Sequence, residues 1–154
     1  MKKDEKQLIH IPVLLKEVMQ YLEVDPDGIY VDCTLGDGGY SSEIVERLNE
    51  GHLVSIDVDS ESIAFVRSKY EDLFLGKKWT LVQENFSKLS EIMKDLHLDH
   101  ADGIVYDLGL SSRQIDADHK RRGFSYLRRE PLDMRMDERL GVTAQDLVKA
   151  LSEK

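Results

Sequence analysis

Two hydrophobic periods alternate along this chain. Leu15, Val18, Met19 and Leu22 follow i, i+3, i+4, i+7 spacing and predict an amphipathic helix. Asp25-Pro26-Asp27-Gly28 is turn chemistry, and Ile29 to Cys33 after it reads as a short buried strand. The pattern then repeats. Gly36 to Gly39 is a loop, Ser41 or Ser42 is the expected cap of a helix turning Ile44, Val45 and Leu48 inward, and Asn49-Glu50-Gly51 ends that helix. Leu53 to Asp57 predicts a second strand, and Ser60 opens a helix bearing Ile63, Val66 and Tyr70. Trp79 to Val82 predicts a third strand, Leu89, Ile92, Met93 and Leu96 a helix, and Ala101 to Tyr106 a fourth strand. Thr143 is placed to cap a last helix carrying Ala144, Leu147, Val148 and Leu151.

Near-continuous apolar strands alternating with helices predict an α/β fold, with a parallel sheet covered on both faces. Right-handed crossovers make it a Rossmann-like half sheet that takes ligands at the carboxyl ends of its strands. The usual doubly wound order puts the fourth strand beside the first. Its outer edge is then open and apolar, which invites pairing with a second copy or another chain. The expected division is a partial cofactor-binding domain at 1–112, a basic substrate loop at 113–142, and the start of a helix of a larger helical part at 143–154.

Composition narrows the class. A chain of 154 residues, 41% hydrophobic and 33% charged, suits one globular domain. The start MKKDEKQL has no apolar run behind it, and no apolar stretch approaches the ~20 residues that span a bilayer, so a cytoplasmic protein is expected. Cys33 stands alone, which excludes an internal disulfide framework, and no Cys/His spacing suggests a metal. A net charge of −9 argues against a polyanionic partner, but its distribution argues the other way. Residues 113–135 hold seven basic and four acidic side chains and are net +3, leaving −12 elsewhere. Basic residues interleaved with Phe124 and Tyr126 fit RNA, which proteins grip by phosphates and stacked bases. A merely solvated loop would look similar.

Three carboxyl-end features carry candidate chemistry. VDCTLGDGG at 31–39 is a glycine-rich strand-to-helix turn, where backbone can approach a ligand closely. The dinucleotide pattern G-x-G-x-x-G would need glycine at 41, where Ser41 stands; the turn suits S-adenosylmethionine better than a pyrophosphate, and could also be only a tight turn. Asp57 ends the second strand at the spacing of a ribose ligand, with Asp59 two positions on as the cap of the next helix; either could instead be only a helix cap. Phe86 follows the third strand and could flank an adenine or belong to the core. Asp107 ends the fourth strand, where a carboxylate could accept the N–H of a weakly nucleophilic exocyclic amine, or could only anchor a cofactor. Cys33 reads as a buried thiol, not a nucleophile. His10 and His119 are candidate polar contacts.

Several segments together resemble one family. HIPVLLKEV at 10–18, DCTLGDGGYSSEI at 32–44, IDVDSESI at 56–63, DGIVYDLGLSSRQID at 102–116, RGFSY at 122–126 and PLDMRMD at 131–137 are similar to the bacterial 16S ribosomal RNA cytosine-N4 methyltransferases. The resemblance implies a Rossmann-like methyltransferase core, S-adenosyl-L-methionine as cofactor, and the small-subunit ribosomal RNA as partner. It implies cofactor contacts at Gly38, Gly39, Tyr40, Asp57, Phe86, Asp107 and Gln114, with Asp107 also catalytic. RNA contacts are then expected from Arg113, Lys120, Arg121, Arg122, Phe124, Tyr126, Arg128, Arg129 and Arg135. The family usually has His where Tyr40 stands and Arg where Val58 stands, and a slightly shorter loop before RGFS. Its members continue into a helical insertion, further strands and an FHSLED-like segment. The expected activity is therefore methyl transfer to the N4 amine of a cytidine in 16S ribosomal RNA; the alternative is a non-catalytic module that binds cofactor or RNA, or one half of an assembly.

Overall fold

The computed structural model describes residues 12–76, 78–116, 118 and 120–151; His10 and His119 lie outside them. Four parallel strands form one sheet: β1 (Ile29–Asp32), β2 (His52–Asp57), β3 (Trp79–Gln83) and β4 (Gly103–Val105), in the order β3-β2-β1-β4. Helix α1 (Leu15–Leu22) precedes β1, α2 (Gly39–Val45) joins β1 to β2, and α3 (Ser60–Lys69) with the short α4 (Glu71–Phe74) joins β2 to β3. A 3-10 turn at Phe86–Lys88 runs into α5 (Leu89–Asp95), and β4 follows. Beyond the sheet lie α6 (Ser112–Asp116) and α7 (Ala144–Ala150).

Register explains which side chains make the core. Tyr30 pairs with Leu53, and Leu53 with Trp79, so all three share one face. That face packs on α1, α2, α3 and α4, burying Ile44, Val45, Leu48 and Val66. Val31, Val54, Cys33 and Ile56 point the other way onto α5, through Ile92, Leu89, Met93 and Leu96. Each fully buried aliphatic chain contributes roughly 1.5–3 kcal/mol, so strands apolar on both sides are what this two-layer cover demands. Trp79 stacks on Phe74 at 4.8 Å, with Tyr70 tilted against its other neighbour space at 5.6 Å.

Helix α2 does not start where hydroxyl capping predicts. Its N-cap is Gly38 in the left-handed region at φ 81°, and no side chain caps it. A Cβ at Gly38 would also sit 2.9 Å from the Tyr70 ring and 3.0 Å from Val66. Ser41 is drawn inside instead. It is fully buried and donates to the Asp32 carboxylate at 2.6 Å. The capping expectation fails because a tertiary partner outbids the local one. The other caps follow the sequence: Asp59 accepts from the Glu61 amide at the start of α3, and Thr143 makes a capping box with Asp146 on α7.

The turn before β1 is tied to the turn before β2. Pro26 offers one carbonyl to the amides of Asn49 (2.6 Å) and Gly51 (3.1 Å). A Cβ on Gly51 would fall on the Gly28 and Pro26 carbonyl oxygens, which are backbone and cannot swing away. Gly51→Ala should therefore lower unfolding free energy by about 2 kcal/mol through overpacking, read from urea denaturation; an unchanged midpoint would show that these turns have slack.

Candidate active site

All the pieces of the site descend from strand ends. Asp32 closes β1 and is buried, with Oδ1 accepting from the Thr34 amide (3.0 Å) and Oδ2 from the Ser41 hydroxyl (2.6 Å). Ser41 in turn shares a 2.7 Å bond with Ser55, which accepts from the Trp79 indole N–H at 2.8 Å. Burial is the main reason this carboxyl is pushed up to about 6, against the Ser41 and Thr34 bonds that pull it down. Thr34, held by its amide, passes the order outward: its Oγ1 accepts from the Asp107 amide at 2.7 Å. The backbone of Asp107, just beyond β4, is thus located through Thr34 by the carboxylate buried at the end of β1.

Asp57, at the end of β2, does the same for the glycine loop. Its Oδ2 accepts from the Gly36 amide and its Oδ1 from the Asp59 amide, each at 2.9 Å. Burial pushes this carboxyl above the usual carboxylate range, and those two backbone bonds oppose the rise. Gly36 itself has φ 51°.

A cavity of about 640 Å³ opens between these ends, within the size range of small-molecule sites. Gly39, Tyr40, Asp57, Phe86, Asp107 and Gln114 line it, six of the seven positions expected to meet cofactor. Gly38 does not line it; its small size serves the packing against Tyr70 and Val66. Tyr40 is buried, and burial is the first cause pushing its hydroxyl up. Phe86 meets Tyr106 edge to face at 5.5 Å. Cys33 also reaches the cavity, but burial raises its thiol, which keeps it protonated at neutral pH. Glu84, Asn85, Ser111 and Met136 also line it and were not expected from sequence. Asn85 carries a readable signal, since its side chain caps the 3-10 turn that presents Phe86. Met136 carries none, as only the tertiary return of 131–137 brings it there.

The basic segment divides in two. Arg121, Tyr126, Arg128 and Arg129 are exposed, Tyr126 almost fully at 93%. Lys120 is partly covered and pairs with Glu138 at 2.6 Å. The others turn inward. Arg122 was expected on RNA, but its side chain is 3% exposed and bonds to Asp59 (2.9 Å), Glu61 (3.3 Å) and Asp118 (3.2 Å), so no phosphate can reach it. Burial opposes its charge, and those carboxylates hold it more firmly protonated than usual. Phe124 lies under that guanidinium, 5.1 Å away. Arg113 is 15% exposed, bonds Asp37 at 2.9 Å and lies 4.7 Å over Phe65, committed to the glycine loop. Arg135 is engaged two ways by Asp133, which it holds down at about 2. Among the described residues no cluster of His, Cys, Asp and Glu could hold a metal, and no helix is long and apolar enough to cross a membrane.

A glycine turn after β1, carboxylates ending β2 and β4, and a cavity between them on a β3-β2-β1-β4 parallel sheet define a Rossmann-like core of the methyltransferase kind. The chain belongs to the MraW methylase family, whose description matches residues 7–154. It is 50% identical over 145 residues to the ribosomal RNA small subunit methyltransferase H of Mycoplasma mycoides subsp. mycoides SC, covering 94% of this chain and 46% of that protein. The corresponding protein of Lactiplantibacillus plantarum is 48% identical over 140 residues, covering 90% and 43%. The chain therefore spans about half the length of these relatives. A crystal structure of a protein from Clostridium thermocellum shares the fold with a TM-score of 0.55 at 23% identity, over 68% of this chain and 56% of that one.

The buried Asp32 carboxyl carries a pH signature. Its folded value of about 6 lies above its ordinary 3.8, so the folded state binds the proton more tightly. Its contribution is fully present below about pH 4 and is lost as pH rises through about 6, on the order of 3 kcal/mol. Asp32→Asn mimics the protonated form. The stability of wild type relative to this variant should fall across that window in urea titrations; a pH-independent difference would mean Asp32 is solvated.

Proposed function

We propose that this chain forms the cofactor-binding part of an S-adenosylmethionine-dependent methyltransferase that acts on the N4 amine of a cytidine in 16S ribosomal RNA. The observation that carries this is the placement of Asp57 and Asp107 on one cavity, the Asp57 carboxylate accepting from the Gly36 amide and the Asp107 amide donating to Thr34 Oγ1. The donor set fits the cofactor. Asp57 suits ribose hydroxyls, Phe86 a flat purine face, and Gly39 a close backbone approach beside Tyr40 and Gln114. When bound, the cofactor supplies a methyl group made electrophilic by a sulfonium.

The chain's own residues do the rest. Asp107 stands exposed at the rim, with its backbone located by Thr34. Accepting an N–H from the incoming amine, it localises the nitrogen lone pair and orients it toward the methyl. The released proton has a carboxylate within reach. The loop 113–142 acts as the substrate segment, and 143–154 begins a further helical part. Arg121, Arg128 and Arg129 face outward as phosphate contacts, and Tyr126 as a stacking surface for a base. The setting is a cytoplasmic one, with the small ribosomal subunit or its RNA as partner.

A second reading is favoured by the outer edge of the sheet. Ile104, Tyr106, Leu108 and Leu110 are exposed along β4 and its continuation. In that reading the chain binds cofactor or RNA without turnover and pairs with a second copy or another chain through this edge.

Isothermal titration with S-adenosylmethionine should give saturable binding that Asp57→Ala weakens at least about tenfold, as expected for losing a charge-assisted bond pair. A folded sample without binding would sink the proposal. Asp107→Ala should keep that binding and lose methyl transfer to small-subunit RNA by about a hundredfold or more; wild-type turnover would remove Asp107 from the mechanism, and binding without any wild-type turnover would support the second reading. Replacing Arg121, Arg128 and Arg129 together by Ala should weaken RNA binding and flatten its dependence on salt by up to about three phosphate contacts. An unchanged salt slope would place the RNA elsewhere.

A further inference from the structure

We infer that Asp59 and Arg122 are positioning residues for the cofactor pocket, acting through Gln114; this rests on the cavity being the cofactor site proposed above. Arg122 belongs to the basic cluster by sequence, yet it has no access to a polyanion. Its guanidinium lies among Asp59, Glu61 and Asp118, three carboxylates from two separate parts of the chain. Such a group fixes one segment against the other, because pulling any partner away leaves a buried charge uncompensated.

What it fixes is a wall of the pocket. Asp59 uses its two oxygens differently. Oδ1 accepts from the Glu61 amide and caps α3 at 2.9 Å. Oδ2 accepts from both Arg122 Nη2 (2.9 Å) and Gln114 Nε2 (2.8 Å). Burial would push this carboxyl up, but Arg122, Gln114 and the Glu61 amide together hold it below the usual range, so it stays ionised and able to accept from both. Gln114 is buried, and its Oε1 accepts from the Ser111 amide at 3.0 Å while its own amide donates to Ser111 Oγ at 3.2 Å. The order therefore runs from Arg122 and Asp59 to Gln114, and from Gln114 to Ser111, both of which line the cavity. Among the described residues, Gln114 uses one Nε2 hydrogen on Asp59 and one Oε1 lone pair on Ser111, and an amide of this kind can make one further bond at each atom. Their direction is set by a carboxylate that does not line the cavity.

Asp59→Asn separates this role from folding. Keeping its oxygen at the cap preserves α3, and asparagine is as good a cap as aspartate. The new NH₂ then occupies the Oδ2 position and faces two donors, so the brace is broken. Titration with S-adenosylmethionine should show Asp59→Asn weakening binding about tenfold, the scale of one or two lost hydrogen bonds. Gln114→Ala should weaken it similarly, and the double variant should be no weaker than about twofold beyond the worse single change, because both act on one element. Wild-type affinity in Asp59→Asn, or effects that multiply, would overturn the inference. Amide exchange at Ser111 judges the brace without any ligand: it should quicken about tenfold in Asp59→Asn while the amides of β1 and β2 stay protected. Unchanged Ser111 protection would overturn the brace itself, whereas failure of the wild-type chain to bind cofactor with the brace intact would instead count against the pocket as a cofactor site.

Discussion

A carboxylate with no access to water organises this molecule. Asp32 closes the inner strand β1, and among the described residues its charge is met by the Thr34 amide and a hydroxyl relay through Ser41, Ser55 and Trp79. Satisfying it pulls α2 down onto β1 and β2 and turns the chain after β1 so that Thr34 faces Asp107. The glycine loop, the start of α2 and the rim of the cavity are all placed by that need. Hydrophobic burial on the two faces of the sheet supplies most of the stability, but it does not specify the turn geometry; the polar relay does.

The alternation of strands and helices was legible because the strands are apolar on both faces and the helices on one. Asp57 and Asp107 were legible for a related reason. A carboxylate immediately after an apolar strand lies at the carboxyl edge of a parallel sheet, where ligands bind. The resemblance then supplied Tyr40 and Gln114, which no periodicity marks. Local rules failed where tertiary partners compete with neighbours. Ser41 looks like a cap and is a buried bond donor. Arg122 looks like a phosphate contact, because a charge pattern cannot say that Asp118 and the start of α3 enclose it. Gly38 looks like a ligand glycine, and the space its missing side chain leaves is also where Tyr70 and Val66 pack. Met136 reaches the cavity by a return of the chain that leaves no mark on local sequence.

The division of the basic segment changes how its charge is understood. Net charge by segment counts Arg113, Arg122 and Arg135 with the rest, yet each is neutralised within the fold by Asp37, Asp59, Asp118 or Asp133. The outward Arg121 and Arg128 are also paired, with Glu130 at 3.7 and 3.4 Å, but from exposed positions that a polyanion can reach. Inward arginines give this loop its shape, and the outward ones give it its potential. The two sets can therefore be altered separately, with different consequences for structure and for attraction.

The pocket wall also has a history within the chain. Arg113 meets Asp37 across 76 residues, and Arg122 meets Asp59 across 63. The β1–β2 pairing and the bond from the Gly36 amide to Asp57 join residues close in sequence, whereas the ion pairs to Asp37 and Asp59 must wait for these long loops to close. As a ribosome releases the chain from its amino terminus, the floor of the site can form while the wall is still unmade. Asp107, Ser111 and Gln114, which close this side of the cavity, are thus synthesised after the strands and loop that floor it.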